Sequence, residues 1–174
     1  MSENIDISCP VAQPLVASCL KSLENTFNSM VMMSVTAGAF KDKQSGNPLG
    51  CISGSIGVSG THKPSGKDLR AQLSLIFPEA LGHKIFRSMM MMAEEDPVEQ
   101  EEVNDVVGEL SNMTAGGAKT LMSEQGFDLS ISLPTIAVGH DHYLSTPSGS
   151  TFSIVVPIHV EAGSFFLEIS ANIG

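Results

Sequence analysis

After Pro10, apolar residues recur every four positions. Leu15, Cys19, Leu23 and Phe27 form a stripe, with Val16 and Leu20 beside it. At about 100° per residue this predicts an amphipathic helix. The stretch from Met30 to Phe40 is β-rich and leads into QSGNPLG, a turn at 44–50. In CISGSIGVSG, Ile52, Ile56 and Val58 share one face of a predicted strand. Glycines and serines fill the remaining positions, which points to close packing there. LRAQLSLIF alternates, with Leu69, Ala71, Leu73, Leu75 and Phe77 on one side, as a half-buried strand requires. Pro78 then opens a helix striped by Leu81, Ile85 and Met89, and Met89–Met92 reads as core filler near its end. Three further alternating segments begin at Phe127, Phe152 and Phe165. The last two predict a hairpin about EAGS, and Pro157 marks its strand as an edge or a bulged one.

Between these strands lies the longest helical pattern. Asp96-Pro97-Val98-Glu99 supplies a capping residue, a proline at the first position and an acid three residues on. Acidic Glu99, Glu101 and Glu102 suit the positive end of the helix dipole. The helix is predicted to reach about Met122 and stop before Gly126. Val103, Val106, Val107, Leu110, Met113, Ala118 and Leu121 gather on one side as core. Asp105, Glu109, Asn112, Gly116 and Lys119 fall on the other. Each of Gly116 and Gly117 costs about 1 kcal/mol relative to alanine in an exposed helix interior. Asn is a mediocre helix former as well. A carboxamide beside a carboxylate on a rigid helix can grip a water and a cation together. On the residues alone, an ordinary solvated face with glycines for helix packing is the favoured account of the pattern.

Helices and antiparallel strands in this order predict an α+β fold, a mostly antiparallel sheet packed against helices, as one domain over residues 1–174. Hydrophobic residues make up 42% of the chain and charged ones 16%, which argues for a real core and against disorder. The formal net charge of −10 argues against a nucleic-acid binder and against an anionic membrane surface. The first residues, MSENIDIS, carry no secretory signal, and no apolar run spans a bilayer, so a cytoplasmic location is expected. Cys9, Cys19 and Cys51 show no metal-type spacing and read as reduced thiols. His140-Asp141-His142 resembles a metal cluster, but a loop rich in Ser, Thr and Pro follows it, so a solvated loop is the simpler account. No serine or cysteine stands in a nucleophile elbow, and GSIGVSG lacks the lysine of a phosphate loop.

Read together, VVGELSNMTAGGAKTLMSEQGFDLSISLPTIAVG resembles the signature region of the CheX phosphatases, within the CheC/CheX/FliY group. SCPVAQPLVASCLKSLENTF is similar to the family's first helix, CISGSIGVSG and LRAQLSLIFPEALGHKIFRSMM to its strands and second helix, and FSIVVPIHVEAGSFFLEIS to its final hairpin. Nearly the whole chain is covered. The resemblance implies a CheC/CheX-like fold and hydrolysis of the aspartyl phosphate on a CheY-type receiver domain. Glu109 and Asn112 carry the family's Glu-x-x-Asn. By that resemblance Asn112 positions the attacking water and Glu109 pairs with the receiver's lysine. Mg²⁺ then belongs to the receiver, with no cofactor or metal on this chain. Asp105, Gly116 and Lys119 are inferred, from the helix face, to be partner contacts. The two-site CheC relatives carry a second motif; Glu24-Asn25-Thr26-Phe27 lacks its Asn, so one site per chain is expected. Gly117 stands where many relatives have Asn, a departure that bears on partner choice. The resemblance also implies a homodimer formed by strand association. The alternatives are a CheX-like module that binds a receiver without hydrolysing it and a structural module of a flagellar switch.

Overall fold

A computed structural model describes residues 9–43 and 48–174. The first helix, α1 (Ala12–Thr26), runs directly into a π-helical turn, Phe27–Val31. Two short strands follow, β1 (Thr36–Ala37) and β2 (Lys41–Asp42), then the long pair β3 (Gly50–His62) and β4 (Lys67–Phe77). Next come α2 (Glu79–Met90), α3 (Gln100–Ser123), β5 (Phe127–Ile131), β6 (Thr135–His142), β7 (Phe152–Val160) and β8 (Gly163–Ile173). All strand pairs are antiparallel, in the order β1-β7-β8-β4-β3-β5, with β2 on β7 and β6 on β3.

The predicted alternation sets the face that carries the helices. Ile52 stands opposite Phe77, Ile56 opposite Leu73 and Leu75 opposite Leu167, so these residues share one side. All of them are buried, and the stripe Leu15, Cys19, Leu23 and Phe27 of α1 joins Ile52, Leu73, Leu75, Phe77 and Leu167 in one core. Phe165 stacks between Phe27 and Phe77, with ring centroids 5.0 and 4.6 Å away. Burial pushes the Cys19 thiol up to about 12, so it packs as a small neutral hydrophobe.

Pro157 behaves as its chemistry requires. Its carbonyl accepts from Gly38 N–H at 2.8 Å on the outer side of β7. The missing N–H points the same way, so no bond to β8 is lost. Among the described residues, the strands on that outer edge are the two-residue β1 and β2.

Several expectations are corrected, and one lies in part outside the described residues. The stretch Met30–Phe40 contributes only Thr36–Ala37 to the sheet, because α1 continues through Val31. Part of the turn expected at 44–50, residues 44–47, lies outside the described residues. The cap of α3 is Glu99, which forms a reciprocal capping box with Glu102; Asp96 instead accepts from Ala93 N–H at 2.8 Å and closes the preceding turn. Met113 and Leu121 are only half-buried, whereas Ser111, Thr114, Ala115 and Met122 are core. Burying the two hydroxyls is tolerable because Ser111 donates to Val107 O and Thr114 to Leu110 O. Finally, the second face of the sheet is not simply solvated. Ser53, Ser74, Ile76, Glu168 and Ser170 are buried on it, and Lys43 reaches in to pair with Glu168 and with the carbonyl of Leu144.

Candidate functional site

Asp105, Glu109, Asn112, Gly116 and Lys119 follow one another at intervals of four, three, four and three residues. That spacing keeps them in a single row along α3. Asp105, Glu109 and Lys119 are exposed, and Asn112 and Gly116 half-buried. The two residues between Glu109 and Asn112 point the other way: Leu110 and Ser111 are 0% exposed. Ser111 packs on Gly54 of β3, where an added Cβ would collide with its hydroxyl and come within 3.1 Å of the Val107 carbonyl. α3 therefore lies almost directly on the sheet backbone. From the outer side, Pro134 and Ile136 close over Gly108. A pair anchored through its middle residues is held to a fixed geometry, as a positioning site needs.

The polar side chains of α3 divide into two groups. Ser111, Thr114 and Thr120 donate to carbonyls of their own helix at 2.8, 2.7 and 3.1 Å, and Gln100 donates to Asn104 at 3.0 Å. Asp105, Glu109, Asn112 and Lys119 make no side-chain hydrogen bond or ion pair with another described residue. Asp105 and Glu109 are also like charges four residues apart, which disfavours the helix by a few tenths of a kcal/mol. This row opposes helix stability slightly and keeps its donors and acceptors unspent.

The adjacent glycines separate clearly. A Cβ at Gly117 would strike the side chain of Ser22 on α1, so Gly117 is where the two helices meet. A Cβ at Gly116 would meet nothing within 4 Å. Packing within the chain explains the first glycine and leaves the second unexplained.

Beside Glu109 runs an open groove of about 640 Å³, with Glu102, Asp105 and Glu109 on one wall and Met30, Phe86 and Met89 among its apolar lining. The Ser88 hydroxyl donates to Val31 O at 2.9 Å and ties the two methionine-rich helix ends together. The Met89–Met92 run is thus core filler only at its ends: Met89 and Met92 pack partly buried against the core, whereas Met90 is 52% exposed and Met91 93%. Met32 and Met91 occupy left-handed positions that close their helices, at φ 60° and 54°. The sequence signal for this apolar ledge was the methionine run itself; its exposure depends on where α2 stops.

The second motif of the two-site relatives, which the sequence lacks at Glu24–Phe27, has no geometry to support it either. Glu24 pairs with Lys21 at 2.8 Å, and Phe27, where an Asn would have to stand, is 0% exposed. His140-Asp141-His142 closes β6 rather than lying in a loop. Among the described residues, the side chains close enough to share a metal ion are Cys51, Glu79 and His140, and none belongs to the α3 row.

Chemically the row offers an anion, a carboxamide and a small gap. An amide has no useful proton to give or take at neutral pH, but it both donates and accepts, so it can orient a water. A carboxylate one helical turn away can fix a cation beside it.

Residues 52–159 match the family model described as chemotaxis phosphatase CheX. A CheC-like superfamily protein from Shewanella sp. PV-4 is similar in structure, with 30% identity and TM-score 0.77, over 91% of this chain and 97% of that one. The chemotaxis protein CheX from Vibrio vulnificus is 29% identical, with TM-score 0.77, over 91% and 99%. CheX in a CheX–CheY–BeF₃–Mg²⁺ complex from Borrelia burgdorferi shares the fold at 18% identity and TM-score 0.69, over 91% and 97%. No curated protein sequence matches the chain.

Proposed function

The chain belongs to the CheX family of chemotaxis phosphatases, and we propose that it hydrolyses the aspartyl phosphate of a CheY-type receiver domain through the α3 row. Glu109 pairs with the receiver's active-site lysine and sets the docking register. Asn112 then reaches the phosphoryl group and holds a water in line with the phosphorus. A new bond forms between the water oxygen and phosphorus, and the bond to the aspartate oxygen breaks. Inorganic phosphate leaves and the receiver regains its carboxylate. Mg²⁺, held by the receiver's own acidic residues, supplies charge neutralisation. Phosphoryl transfer depends chiefly on positioning and electrostatics, so a side chain without acid–base chemistry suffices.

The observation that carries this reading is the empty space over Gly116 in a row of unspent polar groups. A helix that accepts the cost of an interior glycine without using it for its own packing keeps room for a partner's backbone. The Borrelia relative, crystallised with CheY, BeF₃ and Mg²⁺, supports a receiver as that partner. The methionine ledge beside Glu109 supplies an adaptable apolar flank for it. We further propose that the protein works in the cytoplasm as a homodimer, joined through the outer edge of β6, which pairs with no further strand among the described residues. No helix among the described residues is long and apolar enough to cross a membrane.

Gly116→Leu tests the docking face. It should leave the fold intact or stabilise it by up to about 1 kcal/mol, because a Cβ there meets nothing within 4 Å and leucine is the better helix former. Titration with a phosphorylated CheY-type receiver should show at least a tenfold loss of affinity, roughly 1.4 kcal/mol. Unchanged receiver affinity in a folded Gly116→Leu would mean that this face is not where the receiver docks.

A further inference from the structure

We propose that Cys51, Glu79 and His140 form a binding site for a zinc-class divalent ion, separate from the α3 row. The three side chains come from β3, the first residue of α2 and β6, and their donor atoms all lie within 4.8 Å of one another. They line a small pocket of about 210 Å³ whose wall also includes Gln100, the first residue of α3.

The backbone is shaped around this point. Ile52 pairs with Val138 and Gly50 with His142, so Cys51 alone on β3 stands opposite Gly139, His140 and Asp141 on β6. Such a bulge re-aims a side chain that a regular strand would send elsewhere. Asp141 takes φ 48°, a left-handed conformation unfavourable for a residue with a Cβ. His142 holds the bulge in place. Its Nδ1 lies 2.9 Å from the Gly139 carbonyl and its Nε2 2.8 Å from the Ser53 hydroxyl. A carbonyl only accepts, so Nδ1 carries the proton, and in the neutral ring Nε2 then accepts from Ser53. The two histidines of the run therefore differ in role: His142 braces the strand from within, and His140 is presented to Cys51 and Glu79.

The donor set selects the ion. One thiolate, one imidazole and one carboxylate suit zinc, whereas magnesium and calcium require an oxygen cage. Tetrahedral zinc, with bonds of about 2.0–2.3 Å, places its donors about 3.5 Å apart. Closing the remaining distance needs about 1 Å of side-chain movement, which the exposed residues Glu79 and His140 can supply. Three protein donors leave the fourth position to water. A bound ion would tie the start of α2 to the β3–β6 edge.

The test is a Co²⁺ titration of tag-free, reduced, chelator-treated protein, followed by displacement with Zn²⁺ against a competing chelator. Wild type should develop a thiolate-to-cobalt charge-transfer band at one equivalent, and Zn²⁺ should abolish it. Cys51→Ser should remove the band, and His140→Ala and Glu79→Gln should each weaken binding about tenfold or more. Cys9→Ser and Asn112→Ala should bind as wild type, which separates this site from the phosphatase reading. Circular dichroism checks that each variant is folded. No band in wild type, or unchanged affinity in folded His140→Ala and Glu79→Gln, overturns the site.

Discussion

Asn112→Ala is expected to slow dephosphorylation of the receiver by about 10²-fold or more while leaving receiver affinity within about threefold. The size follows from the role. Removing one preorganised group that acts only in the transition state typically costs about 10²–10³ in rate, or about 3–4 kcal/mol. Alanine also leaves Leu110 and Ser111 in the core, so the helix keeps its seat on Gly54. Stability should therefore move by no more than about 0.5 kcal/mol, as at other surface positions. Glu109→Ala should behave differently. An exposed carboxylate that pairs with a partner's lysine acts mainly on association, so its loss should raise KM and flatten the salt dependence. Single-turnover assays at saturating protein separate the two. An Asn112→Ala variant that hydrolyses at the wild-type rate would remove the water-positioning role.

The second large effect concerns stability. Lys43 and Glu168 form an ion pair on the far face of the sheet, with side chains 3% and 2% exposed. Glu168 Oε2 is buried with no hydrogen-bond partner among the described residues. Burial raises the Glu168 pKa, and the bond to Lys43 and its charge pull it back only in part. A single substitution that leaves the other charge behind, Lys43→Met or Glu168→Leu, should destabilise the protein by about 3–5 kcal/mol. The double substitution should come within about 1 kcal/mol of wild type or exceed it, because a packed apolar pair avoids the desolvation penalty. Denaturant unfolding of the four proteins gives the cycle directly. The pH dependence has a definite sign. A carboxyl raised in the folded state adds stability that is full below its unfolded pKa and is lost as pH rises through the folded value. Lys43→Met removes the groups that lower the Glu168 pKa, so its deficit should be largest at neutral pH and shrink as the solution is acidified. A deficit that grows on acidification, or additive single effects in the double variant, would contradict this account of the pair.

Much of the fold was legible in the sequence because its signals are periodic. The alternation in LRAQLSLIF and in the final hairpin marks the face that carries the helices, and the four-residue stripe from Leu15 to Phe27 marks α1. The cover of the second face was not legible. Lys43 and Leu144 belong to connections with no period, and the burial of Lys43 against the Leu144 carbonyl follows from where the chain passes. The start of α3 was ambiguous for a local reason: Asp96 and Glu99 both satisfy capping chemistry, and the choice depends on the turn that Asp96 closes with Ala93. The same limit applies to Met90 and Met91, whose exposure depends on the left-handed stop at Met91. At the candidate site, the five residues and their common face could be read from spacing alone. What spacing could not distinguish was Gly116 from Gly117, since only packing shows that Ser22 fills one and nothing fills the other. His140 was hidden for a similar reason, because a bulge breaks the alternation that would have placed it.

The most direct measurement is turnover. A CheY-type receiver from the same organism is phosphorylated, mixed with a fiftieth of its concentration of this protein, and followed for release of inorganic phosphate. The account predicts that the substoichiometric protein clears the whole phosphorylated pool well ahead of its spontaneous decay, with many receivers processed per chain. Decay at the spontaneous rate, despite demonstrable binding, would contradict it and leave a receiver-docking module without hydrolysis.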